Sequence, residues 1–128
     1  METRKHLAAE KKRCNSHNCA QAVVCTYCDL VGLPEQTALD IAGAYGTGMG
    51  NMEGVCGALI GAGIIAGLKT GGLGTVKKAR RIQEEFRNRC GAIKCRDLKT
   101  MTDGKPLCPC ADCVRNAVLI CGEELGIE

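Results

Sequence analysis

Gly54-Val55-Cys56-Gly57-Ala58-Leu59-Ile60-Gly61-Ala62-Gly63-Ile64-Ile65-Ala66-Gly67 decides the fold, because eight of these fourteen residues are Gly or Ala. Glycine destabilises a helix by about 1 kcal/mol relative to alanine. A helix that tolerates so much of it must gain elsewhere, and close backbone contact is the available gain. Gly54, Ala58, Ala62 and Ala66 recur every fourth residue and form one row. A row of small side chains lets a second helix cross at short distance. The segment is therefore expected to be a central, buried helix, or the seam of a homodimer.

Helical signals continue on both sides. Residues 2–13 read as a charged helix. Asn15, Ser16 and Asn18 offer N-caps for a second helix reaching about Val31, stopped by Gly32 and Pro34. Pro34 suits the start of a third, 34–45, and Gly46-Thr47-Gly48-Met49-Gly50 is a turn before a fourth, from about Met52 to Lys69. A fifth runs from Thr75 to about Arg89, with Val76, Ala79, Ile82, Phe86 and Cys90 on one face. Residues 91–107 read as loop with a short turn near Cys95, and the last helix spans about Pro109 to Leu125. No stretch alternates with period two, so strands are not expected. The pattern predicts an all-α bundle of five to six helices around the glycine-rich one, in a single domain over residues 1–128.

Composition narrows the function. The chain has 128 residues, a net charge of +3, and only Tyr27, Tyr45 and Phe86 as aromatics. Its longest uncharged apolar run, Gly54 to Leu68, is 15 residues, short of the roughly 20 needed to span a bilayer. The N-terminus is charged and lacks the look of a signal peptide. A soluble, cytoplasmic protein without a membrane partner is the expectation. The Gly46–Gly50 glycines fail the G-x-G-x-x-G spacing, and helix rather than strand precedes them, which argues against nucleotide binding. The basic fifth helix (Lys77, Lys78, Arg80, Arg81, Arg87, Arg89) reads as a solvated face rather than a nucleic-acid patch. A docking face for an acidic redox partner is a further reading of it.

Eleven cysteines are the exceptional feature, at 14, 19, 25, 28, 56, 90, 95, 108, 110, 113 and 121. In a reducing compartment such a number points to metal binding or redox chemistry rather than to a disulfide framework. Cys25 and Cys28 lie three apart on one helical face, placed to chelate a metal, to meet in a disulfide, or simply to pack. Cys121 sits in an apolar stripe and reads as packing. Cys108, Cys110 and Cys113 open the last helix, whose N-terminus should depress the pKa of Cys110 and Cys113, and Cys56 gains from the same effect at the glycine-rich helix. The two C-x2-C pairs, 25–28 and 110–113, are separated by 81 residues, so the paired knuckles of a zinc ribbon are absent. No C-x-x-C-H for haem exists, and His6 and His17 are the only histidines. Iron–sulfur clusters, held by four thiolates from scattered positions, and thiol–disulfide exchange both remain.

The segment Gly46 to Gly50, then Cys56-Gly57-Ala58-Leu59-Ile60-Gly61 and Gly67-Leu68-Lys69, resembles a family of small redox-active proteins named for a Cys-Gly-Ala-x-x-Gly motif with flanking cysteines. Cys19-Ala20, Cys95-Arg96-Asp97-Leu98 and Cys113-Val114 match the flanks in order, so the likeness covers about residues 14–122. The resemblance implies an all-helical fold and a redox role for Cys19, Cys56, Cys95 and Cys113. Similar domains occur attached to split-Soret cytochromes, which implies electron transfer and dimerisation. Seven further cysteines depart from a four-cysteine scheme and favour a cluster with more ligands, or more than one cluster. The expectation is an iron–sulfur protein with Cys19, Cys56, Cys95 and Cys113 as core ligands and Cys25, Cys28, Cys108 and Cys110 as supplementary ones, serving an unidentified redox partner. The competing expectations are a metal-free thiol–disulfide oxidoreductase using Cys110 and Cys113 or Cys56, and a zinc-stabilised interaction module.

Overall fold

The computed structural model describes residues 2–13, 17–46 and 48–127. Seven α-helices follow one another: α1 (Glu2–Arg13), α2 (Cys19–Tyr27), α3 (Glu35–Ala42), α4 (Gly57–Thr70), α5 (Thr75–Cys90), α6 (Cys95–Lys99) and α7 (Cys110–Leu125). A 3-10 turn, Cys28–Val31, extends α2. Asn18 caps α2 in a reciprocal box: its side chain accepts from the Gln21 amide, and the Gln21 side chain accepts from the Asn18 amide. Two of the orphan amides at that helix end are thereby satisfied. The other cap candidates, Asn15 and Ser16, lie outside the described residues.

Helix α4 is the axis of the fold, as its small residues imply. It packs on α2, α5 and α7, while α1 lies along α7. Ala58, Ala62, Ala66 and Ile65 are fully buried. The closest approach falls on the neighbouring row: a Cβ at Gly61 would lie 2.9 Å from the Ala20 carbonyl oxygen and 2.9 Å from Val23 Cβ. Tyr27 ties α2 to α7, its buried hydroxyl donating to the Val118 carbonyl at 2.7 Å. Not every glycine in α4 has such a reason. A Cβ at Gly63 would meet nothing within 4 Å. Gly63→Ala is therefore expected to stabilise the chain by up to about 1 kcal/mol through helix propensity alone, and Gly61→Ala to destabilise it. Thermal denaturation of the two variants reads the difference in sign.

Besides a third helix that ends at Ala42 rather than at 45, the structure departs from the sequence reading in two places. The fourth helix begins at Gly57, not Met52. Met49 and Met52 both adopt positive φ, 145° and 65°, which no helix accommodates. Residues 52–56 instead pair with 93–96: Val55 bridges Lys94, and the amides of Cys56, Cys95 and Arg96 donate to the carbonyls of Ile93, Gly54 and Met52. The second departure lies within 91–107. There α6 is followed by a two-residue hairpin, Met101–Thr102 with Lys105–Pro106. Asp103 and Gly104 form its turn at φ 53° and 78°, the left-handed conformation that an Asp-Gly pair favours. Both features serve the same end. They fold the α5–α7 connection back so that Cys95, Lys99 and Cys108 reach the N-termini of α4 and α7.

Candidate metal and redox centre

Seven cysteines converge where α2 and α7 begin, α4 begins and α5 ends. Cys56 is the N-cap residue of α4, Cys90 the last residue of α5, Cys95 the first of α6 and Cys110 the first of α7. Cys113 follows one turn into α7, and Cys108 is held by its amide donating to the Leu98 carbonyl at 3.0 Å. Cys19 opens α2. Helix termini supply the convergence: each end leaves backbone amides or carbonyls without intrahelical partners, so several chain directions meet in one polar spot.

Three sulfurs are closest. Those of Cys90, Cys108 and Cys113 all lie within 4.8 Å of one another. Cys113 is fully buried, its thiol donates to the Cys108 carbonyl at 3.5 Å, and the neighbouring sulfurs of Cys108, Cys56 and Cys90 together with burial drive its pKa far up. This reverses the depression expected from its place near a helix N-terminus, because three adjacent sulfurs outweigh one dipole. Cys90 is the complementary member. Hydrogen bonds from Cys108 and Cys113, aided by the Asn116 side-chain amide at 3.4 Å, hold it down at about 4. Cys108 is pushed up to about 11: Cys113 favours its thiolate, but Cys90 and burial prevail. Cys56 is lowered, chiefly by its hydrogen bond from Cys113 and further by the amides of Ala58 and Leu59 at the start of α4.

A second group faces Lys99. The Cys110 thiolate accepts from Cys19 and from the Lys99 ammonium, and its pKa falls to about 5. Cys19, the donor of that pair, is shifted up, and its burial adds to the shift. Cys95 is raised by burial, against the pull of Lys99. Burial opposes the charge on Lys99, yet Cys110, Cys95 and Cys19 outweigh it and raise its pKa. The two groups are one site: Cys56 acts electrostatically on Cys19, Cys90, Cys95 and Cys113. Cys110 and Lys99 are its half-buried members, and the other six thiols are buried.

Of the cysteines named from the sequence, Cys19, Cys56, Cys95, Cys108, Cys110 and Cys113 share this location. Cys25 and Cys28 do not. Cys25 stands six residues from Cys19, about 9 Å along α2 and about 120° round it. It is raised to about 11 by burial, with Cys28 and Glu35 adding to the shift. Cys28 donates to the Cys25 carbonyl at 3.3 Å. Cys121 is pushed up to about 12 by burial alone, as a packed core residue should be. Cys14 lies outside the described residues. Sequence reasoning missed Cys90 and Lys99 as site members. Cys90 continued the apolar face of α5, which reads as packing. Lys99 had one faint signal, the i, i+4 spacing from Cys95 that sets both on one face of α6.

The donors suit a soft metal. Sulfurs around a single tetrahedral ion sit about 3.8 Å apart when metal–sulfur bonds are about 2.3 Å; those of Cys90, Cys108 and Cys113, all within 4.8 Å of one another, need only a small movement to reach that spacing. Cys56, whose thiol interacts with that of Cys113 but lies outside the 4.8 Å group, is the candidate fourth donor. Four thiolates match the preference of zinc and of iron–sulfur centres.

The split of pKa values gives a test in the metal-free, reduced chain. At pH 7 Cys110 is thiolate (about 5) and Cys25 is thiol (about 11). Iodoacetamide attacks thiolate and is expected to label Cys110 first. Between pH 7 and 9 the Cys110 rate should stay flat, while the Cys25 rate rises about tenfold per unit. Peptide mapping by mass spectrometry at the two pH values reads both rates, and equal labelling at pH 7 would contradict the assignment.

Among the described residues, no helix is long and apolar enough to cross a membrane. No curated protein and no solved structure matches the chain. A family profile does: that of "Putative redox-active protein (C_GCAxxG_C_C)", over residues 17–124. The match contains all seven converging cysteines and Lys99, and the chain belongs to the C_GCAxxG_C_C family of redox-active proteins.

Proposed function

We infer that this chain is an electron-transfer protein holding an iron–sulfur centre through Cys56, Cys90, Cys108 and Cys113. The observation that carries the reading is the meeting of seven thiols from separate segments of the chain, beside the Lys99 ammonium. When bound, such a centre supplies one-electron chemistry, which zinc lacks. The chain's own residues set its surroundings. Cys113 and Cys56 approach it from helix N-termini, whose amides favour negative charge. Lys99 balances the thiolates, and Asn116 donates to Cys90. Cys19, Cys95 and Cys110 line the side nearest Lys99 and extend the ligand set. The fold excludes water from most of these sulfurs and leaves Cys110 as the exposed edge.

A second reading has its own observation. Cys19 and Cys110 are a thiol and a thiolate in direct hydrogen-bonding contact, the arrangement of an attacking and a resolving cysteine. Anaerobic purification followed by iron, zinc and acid-labile sulfide analysis separates the readings. Iron with stoichiometric sulfide and a brown colour is the expected result. Colourless protein without iron, carrying a Cys19–Cys110 disulfide after mild oxidation, would replace the first reading by the second. Stoichiometric zinc without redox response would replace both.

A further inference from the structure

Away from the thiols, α4 and α5 leave a groove of about 390 Å³ lined by Val55, Leu59, Ile60, Val76 and Ile82, with Arg80 and Gln83 on its wall. Gly63 forms part of its floor, and a Cβ there would meet nothing within 4 Å. Gly57 and Gly61 are held in α4 by backbone contacts, but Gly63 has no partner of that kind. It weakens a helix while keeping an apolar trough open. One of its lining side chains stands in water: Val76 is 75 % exposed. Exposed apolar surface of this kind, beside polar residues, marks an interaction site.

Charge identifies the occupant. Residues 57–90 carry seven basic and two acidic side chains, although the whole chain nets only +3. Arg89 is engaged by Glu85 and Glu123, and Lys78 by the Glu124 carbonyl. Arg80 lines the groove, Lys77 and Arg81 stand on the same helix, and none of the three has an ion pair among the described residues. A second copy of this chain would set these cations against their own kind. Nucleic acid would meet the cations but would leave the apolar trough unfilled. An amphipathic helix with an apolar face and acidic flanks satisfies both features.

We propose that the α4–α5 groove docks an acidic amphipathic helix of a partner protein. The site is well placed for communication with the thiols. Val55 and Leu59 bracket Cys56, and the Leu59 amide donates to the Cys56 carbonyl at 2.9 Å. Docking does not depend on which metal, if any, the thiols bind.

The test uses the full chain and two fluorescent synthetic peptides of about five helical turns. Both present Leu on one face, with Glu on the remainder in one and Lys in the other. Anisotropy titration is expected to show binding of the Glu peptide, weakened by added salt, and little binding of the Lys peptide. Gly63→Leu starts from a Cβ that meets nothing within 4 Å and fills the trough, and Arg80→Glu reverses the wall charge; each should weaken binding at least about tenfold. Circular dichroism checks that both variants stay folded, and the two changes act independently. Absence of binding, equal binding of the two peptides, or affinity unmoved by both variants overturns the proposal. So does sedimentation showing a dimer that Gly63→Leu breaks, or a duplex DNA oligonucleotide that displaces the peptide and binds Gly63→Leu undiminished.

Discussion

Cys113→Ser is expected to abolish stable metal binding, with the iron content of anaerobically isolated protein falling at least about tenfold. The substitution keeps the size of the side chain but exchanges a soft thiolate donor for a hard hydroxyl, the poorer ligand for iron–sulfur and zinc alike. Cys113 is the position where the loss should be largest. It is fully buried and meets Cys56, Cys90 and Cys108 together, so its removal takes away the one sulfur common to the group. Cys25→Ser and Cys28→Ser give the contrast. Their sulfurs lie elsewhere on α2 and its 3-10 extension, and iron content should stay at the parent level in both. Metal analysis of the three variants side by side measures the difference. A Cys113→Ser protein that retained full iron would remove that residue from the ligand set.

Gly57→Ala is expected to destabilise the fold by about 3 kcal/mol, near the top of the range for overpacking, and to lower the thermal midpoint by about 10 °C. A Cβ at Gly57 would stand 2.2 Å from the Tyr45 carbonyl oxygen, with the Ala20 amide nitrogen at 3.4 Å. The first of these neighbours is backbone in the turn after α3, so no side-chain rotation relieves the contact. Either that turn or the start of α4 must move. Because Cys56 is the adjacent residue, the same displacement carries its sulfur away from Cys113, and metal content should fall with stability. Gly67→Ala, whose Cβ meets nothing within 4 Å, serves as the control and should leave both unchanged or slightly improved. Differential scanning calorimetry with metal analysis on the two variants reads both effects.

Much of the architecture could be read from local chemistry. Gly32, Gly71, Gly91 and Gly126 end their helices in the left-handed conformation, as glycine past a periodic run should. The face Ile82, Phe86 and Cys90 is buried. The start of α4 was not legible, because the bridge from Val55 to Lys94 is a pairing between residues far apart in sequence. The hairpin at Asp103–Gly104 did carry a signal, the Asp-Gly dipeptide, but its strands are too short to show alternation. The site divides in the same way. Thiols at helix starts (Cys56, Cys110, Cys113) advertise themselves through position. Cys90 does not, since a thiol on an apolar helix face is the ordinary appearance of a packed cysteine. The direction of the Cys113 shift was likewise hidden, for it depends on three sulfurs brought in from other elements.

The most direct measurement is X-ray absorption at the iron edge of the anaerobically isolated chain, compared with Cys113→Ser. The expected result is a first shell made of sulfur alone, four per iron at about 2.3 Å, and lost in the variant. A shell containing nitrogen or oxygen donors in the parent protein, or an unchanged sulfur shell in the variant, would contradict a centre built from these converging thiolates.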